Sequence, residues 1–167
     1  MGEDKTVKIL KSAILLEKRG RAFYTTVAQQ TDKDAVRRFF GLMADEEKSH
    51  IRVLTEQYQV YRETKRFKSG AYGAEPAGAI ASTVLSKELK DQISAAGFEA
   101  AAIAAAMAME KNAITLYSER AEEATDPNEK ALYEWLAEWE KTHLAFLATV
   151  EREVTETIWN DNNFWPF

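Results

Sequence analysis

The sequence predicts an all-α protein built as a four-helix bundle. Four long segments carry apolar residues at spacings of three and four, which is the period of an amphipathic helix. Only 7 glycines and 3 prolines occur among 167 residues, which favours long helices over a sheet with many turns. Two connections between the segments are short and one is long. We therefore expect two antiparallel helical hairpins joined by a long crossover.

The first hairpin is predicted from segments 5–30 and 32–65. Each segment places its apolar residues on one stripe, which is expected to face the core. The connection between the two segments is only a few residues long, so the helices must run antiparallel. Thr31 and Asp32 are residue types that favour a helix N-cap, and we expect them to begin the second helix.

The crossover is predicted over about residues 66–96, which contain three glycines and one proline. A segment of this length can travel the full length of a bundle. Its second half, residues 80–94, has the composition of a short helix. The crossover therefore allows the second hairpin to start at the far end of the first.

The second hairpin is predicted from segments 97–124 and 127–158. Asp126 supplies an N-cap, Pro127 fits the first helical position, and Glu129 completes a capping box at the start of the last helix. We expect the bundle to occupy residues 1–158. The remaining residues, 159–167, form a short aromatic tail (WNDNNFWPF).

Composition excludes several classes of function. With no cysteine, the chain has no disulfide, thiolate zinc site, cysteine nucleophile or cysteine-ligated iron–sulfur site. The net charge of −5 argues against a nucleic-acid partner. The most apolar run, residues 100–109, is about half the length that a membrane span requires, and the N-terminus has no signal-peptide pattern. We expect a cytoplasmic protein with no membrane partner.

The two halves of the chain resemble each other. A shift of 93 positions aligns residues 13–54 with residues 106–147 without a gap, and it brings ten identical pairs together. Two generic amphipathic hairpins could match this well by chance. The identity of the matching residues is more informative, because they include both histidines and four glutamates.

The chain has only two histidines, and each follows a glutamate by three positions, in Glu-Lys-Ser-His and Glu-Lys-Thr-His. A further glutamate precedes each motif by 30 positions. All six residues lie on the apolar stripes of their segments, and residues three apart share a helix face. The set consists of Glu17, Glu47, His50, Glu110, Glu140 and His143.

Four buried carboxylates need compensation, because an isolated buried charge is costly. Two divalent cations would neutralise them, so the pattern predicts a pair of metal ions held by these six residues. Carboxylate and imidazole ligands suit iron or manganese, and zinc is also compatible. A single histidine or glutamate on such a stripe is more often an ordinary core or edge residue, and it is the duplicated set that favours metal.

Four aromatic residues near the motifs have two possible roles each. Tyr24 and Tyr117 follow a candidate ligand by two helical turns, so their hydroxyls either hydrogen-bond the carboxylates or belong to ordinary core tyrosines. Trp139 is next to Glu140 in the sequence, and Trp135 lies one helical turn earlier. They either carry electrons or, as is more common for large aromatics, pack the hairpin interface.

Glutamates from two helices together with Glu-x-x-His from two others form the ferritin-like di-iron carboxylate pattern. The stretches LLEKRGRAFY, FFGLMADEEKSHIRVL, MAMEKNAITLY and LYEWLAEWEKTHLAFL resemble the rubrerythrin branch of that superfamily. The resemblance implies a ferritin-like four-helix bundle with two iron ions. It also implies that Glu17 and Glu110 are terminal ligands, that Glu47 and Glu140 bridge the metals, and that each histidine caps one metal.

The chain departs from rubrerythrins in two respects. Full-length rubrerythrins carry a rubredoxin domain with a four-cysteine iron site, and this cysteine-free chain has none. Rubrerythrins also have an additional glutamate one turn after the ligand of the third helix. Here that position is Ala113, and the matching position in the first half is Gly20. The ligand exchange associated with fast peroxide reduction in rubrerythrins is therefore not expected.

The function that this resemblance implies is a di-iron oxidoreductase. We expect it to reduce hydrogen peroxide with electrons from an external donor protein, and we expect peroxide or dioxygen as its small-molecule partner. Two alternatives stay open: a ferroxidase or iron-handling protein, as in bacterioferritins, and a non-catalytic bundle in which metal only stabilises the fold. A manganese catalase is also compatible. The aromatic residues of the tail and crossover lead us to expect a homodimer that covers them.

Overall fold

A computed structural model describes residues 4–70, 72, 80, 87–93 and 97–160 of the protein. The described residues form five helices. They are α1 (Lys5–Gln30), α2 (Asp34–Thr64), α3 (Lys87–Gln92), α4 (Phe98–Glu123) and α5 (Pro127–Asn160). The predicted all-α fold is confirmed, with four long helices in the predicted order. No helix among these residues is both long enough and apolar enough to cross a membrane.

The start of α2 differs from the prediction. The residue before its first turn is Lys33, which makes no capping hydrogen bond through its side chain. Thr31 instead ends α1, and its hydroxyl donates to Glu99 of α4 at 2.9 Å. The same hydroxyl accepts a hydrogen bond from the backbone N–H of Lys33 at 3.2 Å, which lies before the first turn of α2. Its bond to Glu99 is one that local sequence does not indicate. The expectation that Thr31 and Asp32 cap α2 was therefore wrong.

The start of α5 follows the prediction for Asp126 and Pro127. The Asp126 carboxylate accepts hydrogen bonds from the backbone N–H groups of Asn128 at 2.8 Å and Glu129 at 3.4 Å. These are donors that a helix cannot satisfy within itself. Pro127 is the first residue of α5, where its missing N–H costs nothing.

The helices pair as two hairpins, α1 with α2 and α4 with α5. The Thr31 contact with Glu99 joins the end of α1 to the start of α4. At the other end of the bundle, the Asn128 side chain donates to the carbonyl of Phe67. The second hairpin therefore runs antiparallel to the first, and the crossover carries the chain from one end of the bundle to the other.

Only parts of the crossover lie within the described residues. Leu89 of α3 and the isolated Ile80 are both buried against the bundle. The Gln92 side chain accepts a hydrogen bond from the backbone N–H of Ala35 at 2.9 Å, which ties α3 to the start of α2. The predicted helix over 80–94 is described only as Lys87–Gln92, and most of the aromatic tail, residues 161–167, lies outside the described residues.

The core consists of two apolar clusters, one toward each end of the bundle. A layer of polar side chains, the polar band, lies between them. One cluster includes Val27, Phe40 and Leu147, and the other includes Leu10 and Leu136. Every long helix contributes to both clusters. Because the carboxylates and imidazoles of the duplicated motifs fall between the two sets in each helix, the core places them at one level of the bundle.

Candidate metal centre

All six residues of the duplicated set lie in the polar band and are buried. The most exposed of them retains only 3% of its accessible surface, and His50 retains none. Each of the four long helices contributes at least one of them. Their ligand atoms form two groups of four residues, and within each group these atoms lie within 4.8 Å of one another. Glu47 and Glu140 belong to both groups.

The first group surrounds the Nδ1 atom of His50. Oxygens of Glu17 and Glu140 each lie 3.1 Å from this nitrogen, and an oxygen of Glu47 lies 3.7 Å from it. Three helices supply these four side chains. The arrangement offers one nitrogen and several carboxylate oxygens around a common point.

The second group surrounds the Nδ1 atom of His143. An oxygen of Glu140 lies 3.0 Å away, while oxygens of Glu47 and Glu110 lie 3.5 and 3.6 Å away. The two imidazole rings are nearly parallel, with their centroids 5.7 Å apart. The two groups are therefore adjacent, and the carboxylates of Glu47 and Glu140 stand between them.

Both tyrosines hydrogen-bond carboxylates, but each bonds the one on the other hairpin. The Tyr24 hydroxyl donates to Glu110, and the Tyr117 hydroxyl donates to Glu17. Burial raises the pKa of both hydroxyls well above the usual range, and the neighbouring glutamates add to the rise. Each phenol therefore keeps its proton at neutral pH and remains a donor.

Burial and mutual repulsion govern the carboxyl groups. Burial raises the pKa of Glu47 well above its usual range, and the charges of Glu140 and Glu17 raise it further. Burial and the charge of Glu140 likewise raise the pKa of Glu110 to about 8. In the absence of metal, both groups therefore hold protons at neutral pH.

The histidines and Glu140 favour their charged forms instead. Burial opposes the charge on both imidazoles, but the surrounding carboxylates outweigh it and raise the pKa of His143 to about 9. Burial likewise opposes the charge on His50, but the carboxylates of Glu140, Glu17 and Glu47 raise its pKa well above the usual range. Burial opposes ionisation of Glu140 as well, yet both imidazoles hold its pKa well below the usual range. Protons thus balance the charge of the metal-free centre.

The residues fit a pair of divalent metal ions. The donor set of carboxylate oxygens and imidazole nitrogens is one that iron and manganese bind in proteins. One Glu140 oxygen is buried with no hydrogen-bond partner among the described residues, although it lies 3.1 Å from His50. Two cations would replace the protons that now balance the site and would give that oxygen a partner.

A small cavity of about 20 Å³ borders the carboxylates on the side of α1 and α4. Its walls include Gly20, Ala113 and Tyr24, together with four of the glutamates. This volume holds about one water-sized molecule. A methyl group added at Gly20 would lie 3.5 Å from the Glu47 carboxyl carbon, so glycine leaves space here that alanine would fill.

Sequence reasoning singled out Gly20 and Ala113 only as departures from a family pattern. It did not foresee that their small side chains enclose a cavity. Leu16 and Met109 also line it, and these two residues are matching positions in the two halves of the chain. The repeat therefore carried a signal for this cavity that was not used.

A protein-family model described as Rubrerythrin matches residues 8–151, which include all six candidate ligands. The chain belongs to the rubrerythrin family. No curated protein and no solved structure matches it. The resemblance drawn from the four motifs is confirmed.

Membership of the rubrerythrin family supports a di-iron carboxylate protein. The buried glutamates and histidines are compatible with metal binding. The matched span reaches from the first turn of α1 into α5, so the family pattern covers both hairpins. Ala113, which occupies the position of the additional glutamate of rubrerythrins, borders the cavity beside the carboxylates.

Proposed function

We propose that this protein is a di-iron oxidoreductase that reduces hydrogen peroxide with electrons from an external donor protein. The observation that carries the proposal is the pair of buried four-residue groups that share Glu47 and Glu140. We assign these two carboxylates as the bridging ligands, with Glu17 and Glu110 terminal and one histidine on each metal. Two adjacent iron ions would supply one electron each, and these two electrons together with two protons from water would convert peroxide to two waters.

The cavity beside Gly20 supports a small oxidant. Its volume of about 20 Å³ holds about one water-sized molecule, so we infer that only a small oxidant approaches the carboxylates from this side. Tyr24 lines this cavity and holds the Glu110 carboxylate through its hydroxyl. We infer that Tyr24 orients Glu110 and keeps a proton close to the bound oxidant.

The two apolar clusters that flank the polar band form the core of the bundle, and they also protect the metal centre. They isolate the polar band from bulk water, and so they strengthen the electrostatic contacts within it. They also limit side reactions of a reduced centre. The ligands themselves are held on rigid helices rather than loops, which fixes their geometry.

We also propose a homodimer in the cytoplasm. Among the described residues, Leu15 and Phe98 are large apolar side chains that are 48% and 47% exposed. Each of these side chains would be covered where it lay at the interface with a partner subunit. Size measurement over a range of protein concentrations tests this, and a monomer at the highest concentration would contradict it.

The function is tested by loading the protein anaerobically with Fe(II) and adding stoichiometric peroxide, or oxygen, while following the optical absorption. We expect an oxo-bridged di-iron band that forms much faster with peroxide. Faster reaction with oxygen, or iron uptake well beyond two ions per chain, would instead indicate a ferroxidase. Absence of oxidation by either would leave a purely structural metal site.

A further inference from the structure

The exposed surface of α1 differs in charge from the molecule as a whole. The helix carries six of the chain's 22 lysines and arginines but only one of its 27 acidic residues. That acid, Glu17, is buried in the centre, so the exposed charged side chains of α1 are all cations. The whole chain has a net charge of −5. α1 is therefore a basic helix on an acidic molecule.

An exposed leucine lies in the middle of these cations. Leu15 is 48% exposed, and its neighbours on the helix surface are the residues three and four positions away. Three of those four positions hold exposed cations, which are Lys11, Lys18 and Arg19. Lys8 lies one turn before Lys11 and is exposed as well. We call these five residues the α1 face. An apolar centre with a charged rim is typical of a protein–protein interface.

The fold does not require these cations. α1 and α4 are both 26 residues long, and the shift of 93 positions that relates the two halves brings their first and last residues into register. In α4, alanine occupies the positions that match Lys8, Lys11 and Leu15, and asparagine occupies the position that matches Arg19. α4 nevertheless holds its own glutamate in the same centre. A helix of this bundle can therefore present its ligand without a basic outer surface.

Neighbouring groups do not neutralise the α1 face. No carboxylate among the described residues pairs with Lys8, Lys18 or Arg19. The helix α4 contacts α1, and it exposes no acidic side chain over residues 101–112, because Glu110 is buried there. A positive potential therefore persists at this surface, and it would attract an acidic molecule.

The α1 face lies directly outside the metal centre. A molecule seated on it would be separated from the Glu17 carboxylate by the thickness of one helix, which is roughly 10–12 Å with its side chains. Gly20, which follows Arg19, brings the backbone of α1 especially close to the centre. A methyl group added there would lie 3.5 Å from the Glu47 carboxyl carbon. This helix is therefore a thin barrier between the surface and the carboxylates.

We propose that the α1 face docks an acidic redox protein, whose electrons cross α1 to the metal centre. Leu15 would contact an apolar residue of the partner, and the surrounding cations would pair with carboxylates at the rim of the contact. From Lys8 to Arg19 the face extends about 16 Å along the helix, at 1.5 Å per residue. That length suits a protein surface rather than a small anion.

This inference rests on the proposed function, because it names the kind of protein that supplies the electrons for peroxide reduction. Two reduced one-electron donors, one hydrogen peroxide and two protons give two oxidised donors and two waters, so atoms and electrons balance. Since Leu15 belongs to the docking surface, the proposed homodimer would leave it exposed and would cover Phe98 instead.

Docking is tested by mixing the oxidised iron-loaded protein anaerobically with a reduced plant-type ferredoxin, which is an acidic one-electron carrier. We expect Lys8→Glu combined with Arg19→Glu to lower the second-order rate of reduction by about tenfold. Added salt should slow the reduction of the wild type and narrow this difference. Lys130→Glu combined with Arg152→Glu is the matched control, because it changes the net charge equally at exposed residues of α5. The control should be reduced nearly as fast as the wild type.

The apolar centre of the face is tested with Leu15→Ala. This variant should lower the rate of reduction by ferredoxin by about threefold, and its stability should not fall, because the leucine is exposed. Reduced methyl viologen is a small cation that needs no docking surface. It should therefore reduce the wild type and every variant without the losses seen with ferredoxin.

Equal reduction of the wild type and the α1 double variant by ferredoxin would overturn the proposal, as would equal losses in the α1 and α5 double variants. Conversion of a dimeric wild type to a monomer by the α1 substitutions would also overturn it, because the face would then be a subunit contact. Tighter binding of duplex DNA than of ferredoxin at the same salt concentration would assign the face to nucleic acid instead.

A failure of the proposed function would give a different result. If ferredoxin reduced the protein through the α1 face but the reduced protein did not react with peroxide, the docking surface would stand and only the oxidant would be wrong. If methyl viologen and peroxide sustained turnover while the α1 substitutions had no effect with ferredoxin, the function would stand and the docking surface would be wrong.

Discussion

At the scale of single residues, space and hydrogen bonds distinguish the two sides of the centre. Gly20 and Ala113 leave a cavity beside the carboxylates, whereas the histidines on the other side are packed against indole rings. A helix gains stability when an interior glycine is replaced by alanine, by about 0.5–1 kcal/mol. Gly20 therefore weakens α1 while it keeps the cavity open.

Gly20→Ala is expected to stabilise the protein and to slow its oxidation by peroxide. The added methyl group makes ordinary contacts with Glu47, so it fills the cavity without a clash. We expect the free energy of unfolding to rise by about 0.5–1 kcal/mol. The rate of oxidation of the iron-loaded protein by peroxide should fall by about tenfold, a barrier change of about 1.4 kcal/mol.

Gly41→Ala is the matched control for that substitution. Gly41 lies within α2, and a methyl group there would meet no atom within 4 Å. Gly41→Ala should raise the free energy of unfolding by the same amount as Gly20→Ala, with no change in the rate of oxidation by peroxide. Equal rates for the two variants would show that the cavity does not admit the oxidant.

Tyr117→Phe should lower the affinity for metal by about 10- to 100-fold, because the Glu17 carboxylate loses the hydroxyl that orients it. Tyr133→Phe is the control. The Tyr133 ring stacks on Tyr117 at 6.0 Å, but its buried hydroxyl has no hydrogen-bond partner among the described residues. Its removal should leave affinity unchanged and should not lower stability. Equilibrium metal titration and chemical denaturation of both variants measure these effects, and equal affinities would contradict the role given to Tyr117.

At the scale of the helices, local sequence determined most of the bounds. The period of apolar residues indicated all four long helices, and Asp126 and Pro127 indicated where α5 begins. The start of α2 was not predicted correctly, because α2 begins two residues later, at Asp34. The Thr31 hydroxyl accepts from Lys33 before the helix begins and donates to Glu99 of the other hairpin.

This difference predicts unequal effects of two aspartate substitutions. Asp126→Ala should lower the free energy of unfolding by about 1 kcal/mol, because two backbone N–H groups of α5 lose their acceptor. Asp32→Ala should change it by less than about 0.5 kcal/mol, since this exposed residue does not cap α2. Thermal unfolding of both variants tests this assignment. A larger loss in the free energy of unfolding for Asp32→Ala than for Asp126→Ala would show that Asp32 does cap α2.

At the scale of the whole molecule, the repeat predicted the six candidate ligands but not their partners across the bundle. Tyr24 follows Glu17 by two helical turns in the sequence, but its hydroxyl donates to Glu110 of the other hairpin. That pairing depends on how the two hairpins pack, which periodicity does not specify. The cavity depends on the same packing, although the matching positions Leu16 and Met109 in the repeat indicated part of its lining.

The metal-free protein should lose stability as the pH rises. A group whose pKa is higher in the folded state stabilises that state below its unfolded pKa, and this contribution disappears as the pH rises through the folded pKa. The stabilisation that protonated Glu110 provides is lost between pH 4.5 and about pH 8. The stabilisation that protonated His143 provides is lost between pH 6.5 and about pH 9. Unfolding of chelator-treated protein should therefore need progressively less denaturant from pH 6 to pH 9.

Glu110→Gln is the control for this pH dependence, because an amide imitates the protonated carboxyl and does not titrate. Its stability should decline less steeply over the lower part of the range. The metal-loaded protein should show the opposite trend, since protons compete with metal for the same ligands. A metal-free protein that became more stable toward pH 9 would contradict the charge balance described for the centre.

The most direct test of the central claim is the number of metal ions that one chain binds. Protein freed of metal, loaded anaerobically with Fe(II) and separated from excess iron, should retain two ions per chain. Substitution of Glu47 by glutamine should reduce binding at both positions, because both groups share this carboxylate. Retention of a single ion by the wild type, or of two ions at undiminished affinity by Glu47→Gln, would contradict a paired centre with a shared glutamate.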